Sequence, residues 1–138
     1  MDAVGSGFEI SRFVQSLREG DIEGFMRRLQ SFLSASPYEL EPEQERHFQS
    51  VMYILTVLCG YHVEIESHTN KGRMDMTIQT KDYIYIFEFK FNKSAEEALR
   101  QIDEKGYAER FVNDGYTVVK VGVNYSTACR NIDKWIVE

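Results

Sequence analysis

The run Met74-Asp75-Met76-Thr77-Ile78-Gln79-Thr80-Lys81-Asp82-Tyr83-Ile84-Tyr85-Ile86-Phe87-Glu88-Phe89-Lys90-Phe91 has the period of two paired strands. Side chains alternate between faces along an extended strand, so Met74, Met76 and Ile78 fall on one face and Asp75, Thr77 and Gln79 on the other. Further on, Tyr83, Tyr85, Phe87, Phe89 and Phe91 share one face, while Ile84, Ile86, Glu88 and Lys90 share the opposite one. Only Lys81 and Asp82 separate the two runs, which is the length of a tight antiparallel hairpin. In that register the end of the later strand lies against the start of the earlier one, bringing Glu88 and Lys90 alongside Asp75. The aromatic face is ordinary strand packing. The charges are the anomaly, because charged groups ending a strand that is otherwise apolar on both faces are costly to bury unless they are paired or bind an ion.

Downstream, Ser94-Ala95-Glu96-Glu97 is a capping box, in which serine and glutamate satisfy the first orphan amides of a helix predicted over about Ala95 to Phe111. An extended run from Thr117 to Asn124 follows. A strand, a helix and a second strand in that order fit a parallel crossover. Two further extended runs, His62 to Ser67 and an edge candidate at Trp135 to Val137, complete a mixed sheet flanked by helices. Upstream, a helix from about Pro42 to Cys59 places Phe48, Val51, Met52, Leu55 and Leu58 on one face, is stopped by Gly60, and carries Glu43, Glu45 and His47 near its start. Asp21 can cap a helix over Ile22 to Ser34, whose stripe is Ile22, Phe25, Met26, Leu29, Phe32 and Leu33. Phe8 to Leu17 is a further helix candidate, and Met1 to Gly7 reads as a linker or a cloning scar, so that the chain is read as a piece of something longer. The division expected is a linker and helical extension over 1–37 and an α/β domain over 38–138.

With 138 residues, 43% hydrophobic and 28% charged, the chain has the composition of one ordinary globular core, not of a disordered segment. The net charge of -6 excludes the global basic field of a protein that coats nucleic acid. The surplus is uneven, with a net -4 before His62 and -2 from there onward, so any contact with nucleic acid has to be local. Cys59 and Cys129 lack any metal-ligand or redox spacing and read as reduced thiols. The most apolar stretch, Val51 to Cys59, falls far short of the roughly 20 residues that span a bilayer. A cytoplasmic protein with no membrane partner is expected.

Two convergent carboxylates offer hard oxygen ligands for Mg²⁺ or Mn²⁺, ions that leave positions open for phosphate oxygens. A neighbouring lysine can then orient an attacking water and stabilise charge growing on phosphorus. The plain alternative is a structural ion pair at the rim of the sheet. What shifts the balance is the ordered set Gly72-Arg73-Met74-Asp75, Tyr83 through Glu88-Phe89-Lys90, Ala95 through Gln101-Ile102, and Lys105-Gly106-Tyr107-Ala108. This set resembles the PD-(D/E)XK nuclease superfamily, and within it the branch found at the C-terminus of bacterial AAA-ATPase-like proteins. The resemblance covers about residues 38 to 138 and implies a restriction-endonuclease-like core.

By that resemblance Asp75 is the motif aspartate that ligates the metal, Glu88 the second metal carboxylate and Lys90 the catalytic lysine. Gln101 matches the helix glutamine that contacts the site or the nucleic-acid backbone. Glu45 matches an acidic metal residue on the first core helix, with Glu43 and His47 competing for that place. Arg73 and Lys105 are read as contacts to backbone phosphates, Arg73 with plain carboxylate pairing as its alternative. For His47 and His68 a plain polar role outweighs an acid-base one, and for Tyr107 packing outweighs base stacking. The function expected is Mg²⁺- or Mn²⁺-dependent hydrolysis of nucleic-acid phosphodiester bonds, DNA ahead of RNA. The alternative is a weakly active or inactive nuclease-fold module that binds nucleic acid or regulates an attached ATPase domain. Self-association into a homodimer through incompletely covered helical stripes is a further alternative.

Overall fold

The computed structural model describes residues 10–35, 44–68, 73–106, 108–112 and 114–138. The expected helix start at Phe8, the stretch around Pro37, the start at Pro42 with Glu43, Gly72 and Tyr107 lie outside the described residues. Three helices come first: α1 (Ile10–Glu19), α2 (Ile22–Ser34) and α3 (Gln44–Cys59). The Asp21 side chain caps α2 by accepting from the Gly24 amide at 3.0 Å, so this helix has the predicted limits. Strands β1 (His62–His68), β2 (Arg73–Gln79) and β3 (Tyr83–Phe91) follow as an antiparallel meander. Helices α4 (Ala95–Lys105) and α5 (Glu109–Val112) then lead to β4 (Thr117–Ser126), which lies parallel to β3, and to β5 (Asn131–Val137), antiparallel at the edge.

The sheet order is β1-β2-β3-β4-β5, mixed as expected, with its one parallel pair where the helical crossover falls. Two details differ from the sequence-based limits. The helix predicted to Phe111 ends at Lys105, because Gly106 takes a left-handed conformation (φ 65°) and caps it, with a separate turn of α5 beyond. The edge strand is longer than Trp135 to Val137, starting at Asn131 and crossing a bulge beside Asn124 and Tyr125.

Alternation on the strands sorts the apolar residues into two layers. Met74, Met76, Ile78, Tyr85, Phe87, Phe89, Phe91, Val121, Val123 and Tyr125 face the first three helices and meet Phe13, Leu17, Phe25, Met26, Leu29, Phe48, Met52 and Leu55. Rings of Phe25 and Phe87 lie 6.0 Å apart, and Phe48 sits edge-on to Phe89 at 5.3 Å. The opposite face is smaller, with Ile84 and Ile86 under Ile102, Leu99 and Phe111. Helices α1 and α2, placed by the sequence in an extension, therefore bury their stripes in the same core as the sheet. Among the described residues the large apolar side chains that stay exposed are instead on α3, at Tyr53, Ile54, Val57 and Leu58, the last of which the sequence had placed on the covered face. Both cysteines are free thiols, and among the described residues no helix is long and apolar enough to cross a membrane.

Candidate active site

Pairing of β2 with β3 sets Asp75 opposite Glu88 and Arg73 opposite Lys90. Directly opposed residues in an antiparallel pair share a face, so all four project from the side of the sheet that α4 covers. The same row extends outward, since Glu66 of β1 lies opposite Asp75, and inward, since Gly122 of β4 lies beside Glu88. Gly122 is what lets α4 approach: a Cβ there would lie 2.6 Å from the Ala95 carbonyl oxygen and from the Leu99 amide nitrogen. Two anchors fix where the helix begins. Ser94 caps it, accepting from the Glu97 amide at 3.0 Å, and the Asn124 side chain accepts from the Lys93 amide at 2.9 Å while donating to Asp133.

Held this way, α4 aims Gln101 and Lys105, four residues apart and so on one helix face, at the charged row. Lys90 donates a hydrogen bond to Oε1 of Gln101. Lys105 donates to Oδ2 of Asp75 at 2.9 Å and lies 3.5 Å from Oε1 of Glu88. Glu88 is only 1% exposed, Asp75 and Lys90 each 8%. Oε2 of Glu88 and Nε of Arg73 are buried without a hydrogen-bond partner.

Such burial of charge is unfavourable for stability alone, since desolvating ions costs several kcal/mol each before pairing returns part of it. Its imprint is on the protonation of the site. Desolvation, reinforced by the neighbouring Asp75, pushes the Glu88 carboxyl up to about 8, so near neutrality it is largely protonated. Burial also works upward on Asp75, but the hydrogen bonds from Glu88 and Lys105 and the charges of Lys105 and Arg73 outweigh it and bring that carboxyl below its usual range. Lys90 is lowered mainly by desolvation, with Lys93 and Arg73 adding to the effect and Glu88 and Glu97 opposing it. Asp75 and Glu88 are thus neighboured by Arg73, Lys90 and Lys105, a local cationic surplus inside an acidic chain.

The structure brings Asp75, Glu88, Lys90, Gln101, Arg73 and Lys105 together. Glu45 lies in the first turn of α3, half-buried, and His47 two residues further along the same helix. Among the described residues no group of three His, Cys, Asp or Glu side chains is close enough to share a metal, so Glu45 does not join the Asp75–Glu88 pair here. Three features escaped the sequence reading. The bridging of both carboxylates by Lys105 was signalled only by its spacing from Gln101. Glu66 becomes visible only when β1 is registered on β2. Gly122 carried no local signal at all.

Three comparisons bear on this arrangement. A family model described as the PD-(D/E)XK nuclease superfamily matches residues 43–135. A protein of Azotobacter chroococcum mcd 1, described as an uncharacterized protein in the vnfD 5' region, is 31% identical over 129 residues, covering 88% of this chain and 25% of that protein. The chain thus spans about a quarter of that relative's length. No solved structure matches it significantly. The hairpin that pairs Asp75 with Glu88 and sets Lys90 beside them lies wholly within the matched span, and the chain belongs to the PD-(D/E)XK nuclease superfamily.

Proposed function

We propose that the protein hydrolyses phosphodiester bonds of nucleic acid, DNA ahead of RNA, using a divalent ion held by Asp75 and Glu88. The observation that carries this reading is the cross-strand pair Asp75–Glu88 with Lys90 next on the same face, buried under a helix that supplies Gln101. The donor set fits Mg²⁺ or Mn²⁺: two hard carboxylates side by side, one with a buried oxygen lacking a hydrogen-bond partner, already drawing a cation. That ion contributes Lewis acidity toward phosphate and water.

The chain's own groups have separate tasks. Lys90, held at Nζ by the Gln101 carbonyl, hydrogen-bonds the attacking water and offsets negative charge developing on the phosphate. Desolvation makes its proton easier to give up than that of an exposed lysine, which suits a group that exchanges a proton during the reaction. Arg73, with a buried Nε still lacking an acceptor, grips a non-bridging phosphate oxygen. Glu45, on the helix that packs against the opposite face of the sheet, is given no task at the ion.

A second reading has its own observation. Lys105 already supplies a positive charge to both carboxylates, as a nuclease-fold module that had given up catalysis to regulate an attached ATPase domain would require. The sequence resemblance supports an attached ATPase domain, and the much greater length of the Azotobacter relative leaves room for a further domain. Incubation with end-labelled single-stranded DNA, duplex DNA and RNA in Mg²⁺, Mn²⁺ or EDTA separates the readings. Cleavage that needs the ion and falls on the order of 10²-fold or more in Asp75→Asn supports the nuclease. Absence of cleavage on every substrate, with binding of nucleic acid retained, supports the regulatory module.

A further inference from the structure

An ammonium 2.9 Å from an oxygen of Asp75 and 3.5 Å from an oxygen of Glu88 stands where it would compete with a divalent ion held between those carboxylates. Divalent ions of this kind sit about 2.1 Å from their oxygen ligands, which leaves no room for a lysine on the same two oxygens. The two lysines of the site are held differently. Lys90 is tied to Gln101 beneath α4. Lys105 is the last residue of α4, its side chain 19% exposed, and the next residue, Gly106, turns the backbone away in a left-handed conformation. A flexible four-carbon stem at an open helix end can swing without unwinding the helix.

We propose that Lys105 is a tethered counter-cation, which occupies the ion position between Asp75 and Glu88 until a divalent ion displaces it and then turns its ammonium toward the substrate's phosphate. The inference rests on the reading that the pair binds a divalent ion, and adds an exchange step that this reading does not contain. Ion binding must then compete with an internal cation, so affinity is weakened by the fraction of time the lysine is in place. The same exchange keeps the carboxylates from repelling phosphate before the ion arrives, and afterwards delivers a positive charge to the groove.

Calorimetric titration of the 138-residue protein with Mn²⁺ tests it, comparing the unaltered chain with Lys105→Met, which keeps the stem and loses the charge, and with Asp75→Asn. The expected result is Mn²⁺ binding on the order of tenfold tighter in Lys105→Met and lost in Asp75→Asn. Equal or weaker binding in Lys105→Met overturns the exchange and leaves the divalent site standing. No Mn²⁺ binding by either the unaltered chain or Lys105→Met overturns both. Should Lys105→Met fail to fold, acetylation of the unaltered protein decides. Labelling of Lys105, read by mass spectrometry, is expected to rise several-fold with Mg²⁺ relative to exposed Lys81, and unchanged labelling overturns the proposal.

Discussion

Glu88 sits 1% exposed within a strand of aromatic and aliphatic side chains, and its carboxyl titrates near 8 because water is excluded from it and Asp75 stands beside it. Protonation and folding are therefore linked. The folded state holds a proton that the unfolded chain has released between about 4.5 and 8, so the contribution of this group to stability falls as pH rises through that window and is flat above it. Urea midpoints measured in EDTA are expected to decline from pH of about 5.5 to 8.5, and Glu88→Gln, neutral throughout, is expected to flatten that decline. A slope unchanged in Glu88→Gln would mean that Glu88 is already ionised in the fold. At this scale the meeting of Asp75, Glu88 and Lys90 was legible in advance, because strand alternation and a two-residue turn fix which side chains oppose one another, while the roles expected of them came from the family resemblance. The ion-like placement of Lys105 was not, since it depends on where α4 stops and how closely it lies on the sheet.

The element that makes the site is α4, and what positions it is a cap, a side-chain brace and a missing Cβ. Ser94→Ala removes the acceptor for the Glu97 amide and is expected to cost about 1 kcal/mol. Gly122→Ala forces the helix off the sheet at Ala95 and Leu99. By analogy with overpacked cores it is expected to destabilise by roughly 1–3 kcal/mol. Gly122→Ala should also lower cleavage more than Ser94→Ala does, because it displaces Gln101 and Lys105 from Lys90 and Asp75. Equal activity in the two variants, measured well below their melting temperatures, would show that the height of α4 over the sheet is unimportant. The capping box marked the start of this helix in the sequence. Its end was misplaced because Ala108 and Phe111 continue the apolar spacing past Gly106, and periodicity cannot see that a glycine has turned left-handed. The full length of β5 was hidden for a related reason: its pairing with β4 passes through a bulge, which breaks simple alternation.

Over the whole molecule the sheet separates two duties, an aromatic face that supplies the core under α1, α2 and α3, and a thinner face that carries the charges under α4. Removing residues 1–35 would strip Phe13, Leu17, Phe25, Met26 and Leu29 from Tyr85 and Phe87. The truncated chain is expected to aggregate or to lose its cooperative melting transition. A monodisperse, cooperatively melting fragment on gel filtration and calorimetry would show that the first two helices are dispensable. The mixed α/β architecture was readable from the change of period near residue 60, whereas the inclusion of α1 and α2 in one core was not, since an amphipathic stripe does not say which surface it covers. Likewise a net charge of -6 said little about substrate, because Arg73, Lys90 and Lys105 are gathered only by folding. Lys90 is proposed to act in the chemistry at an ion site built by Asp75 and Glu88. The most direct test of this role is Lys90→Met, assayed for Mn²⁺ binding and for cleavage of labelled nucleic acid in the same preparation. Mn²⁺ affinity is expected to stay within about threefold while cleavage falls on the order of 10²-fold or more. Cleavage at the unaltered rate with Mn²⁺ bound would contradict it.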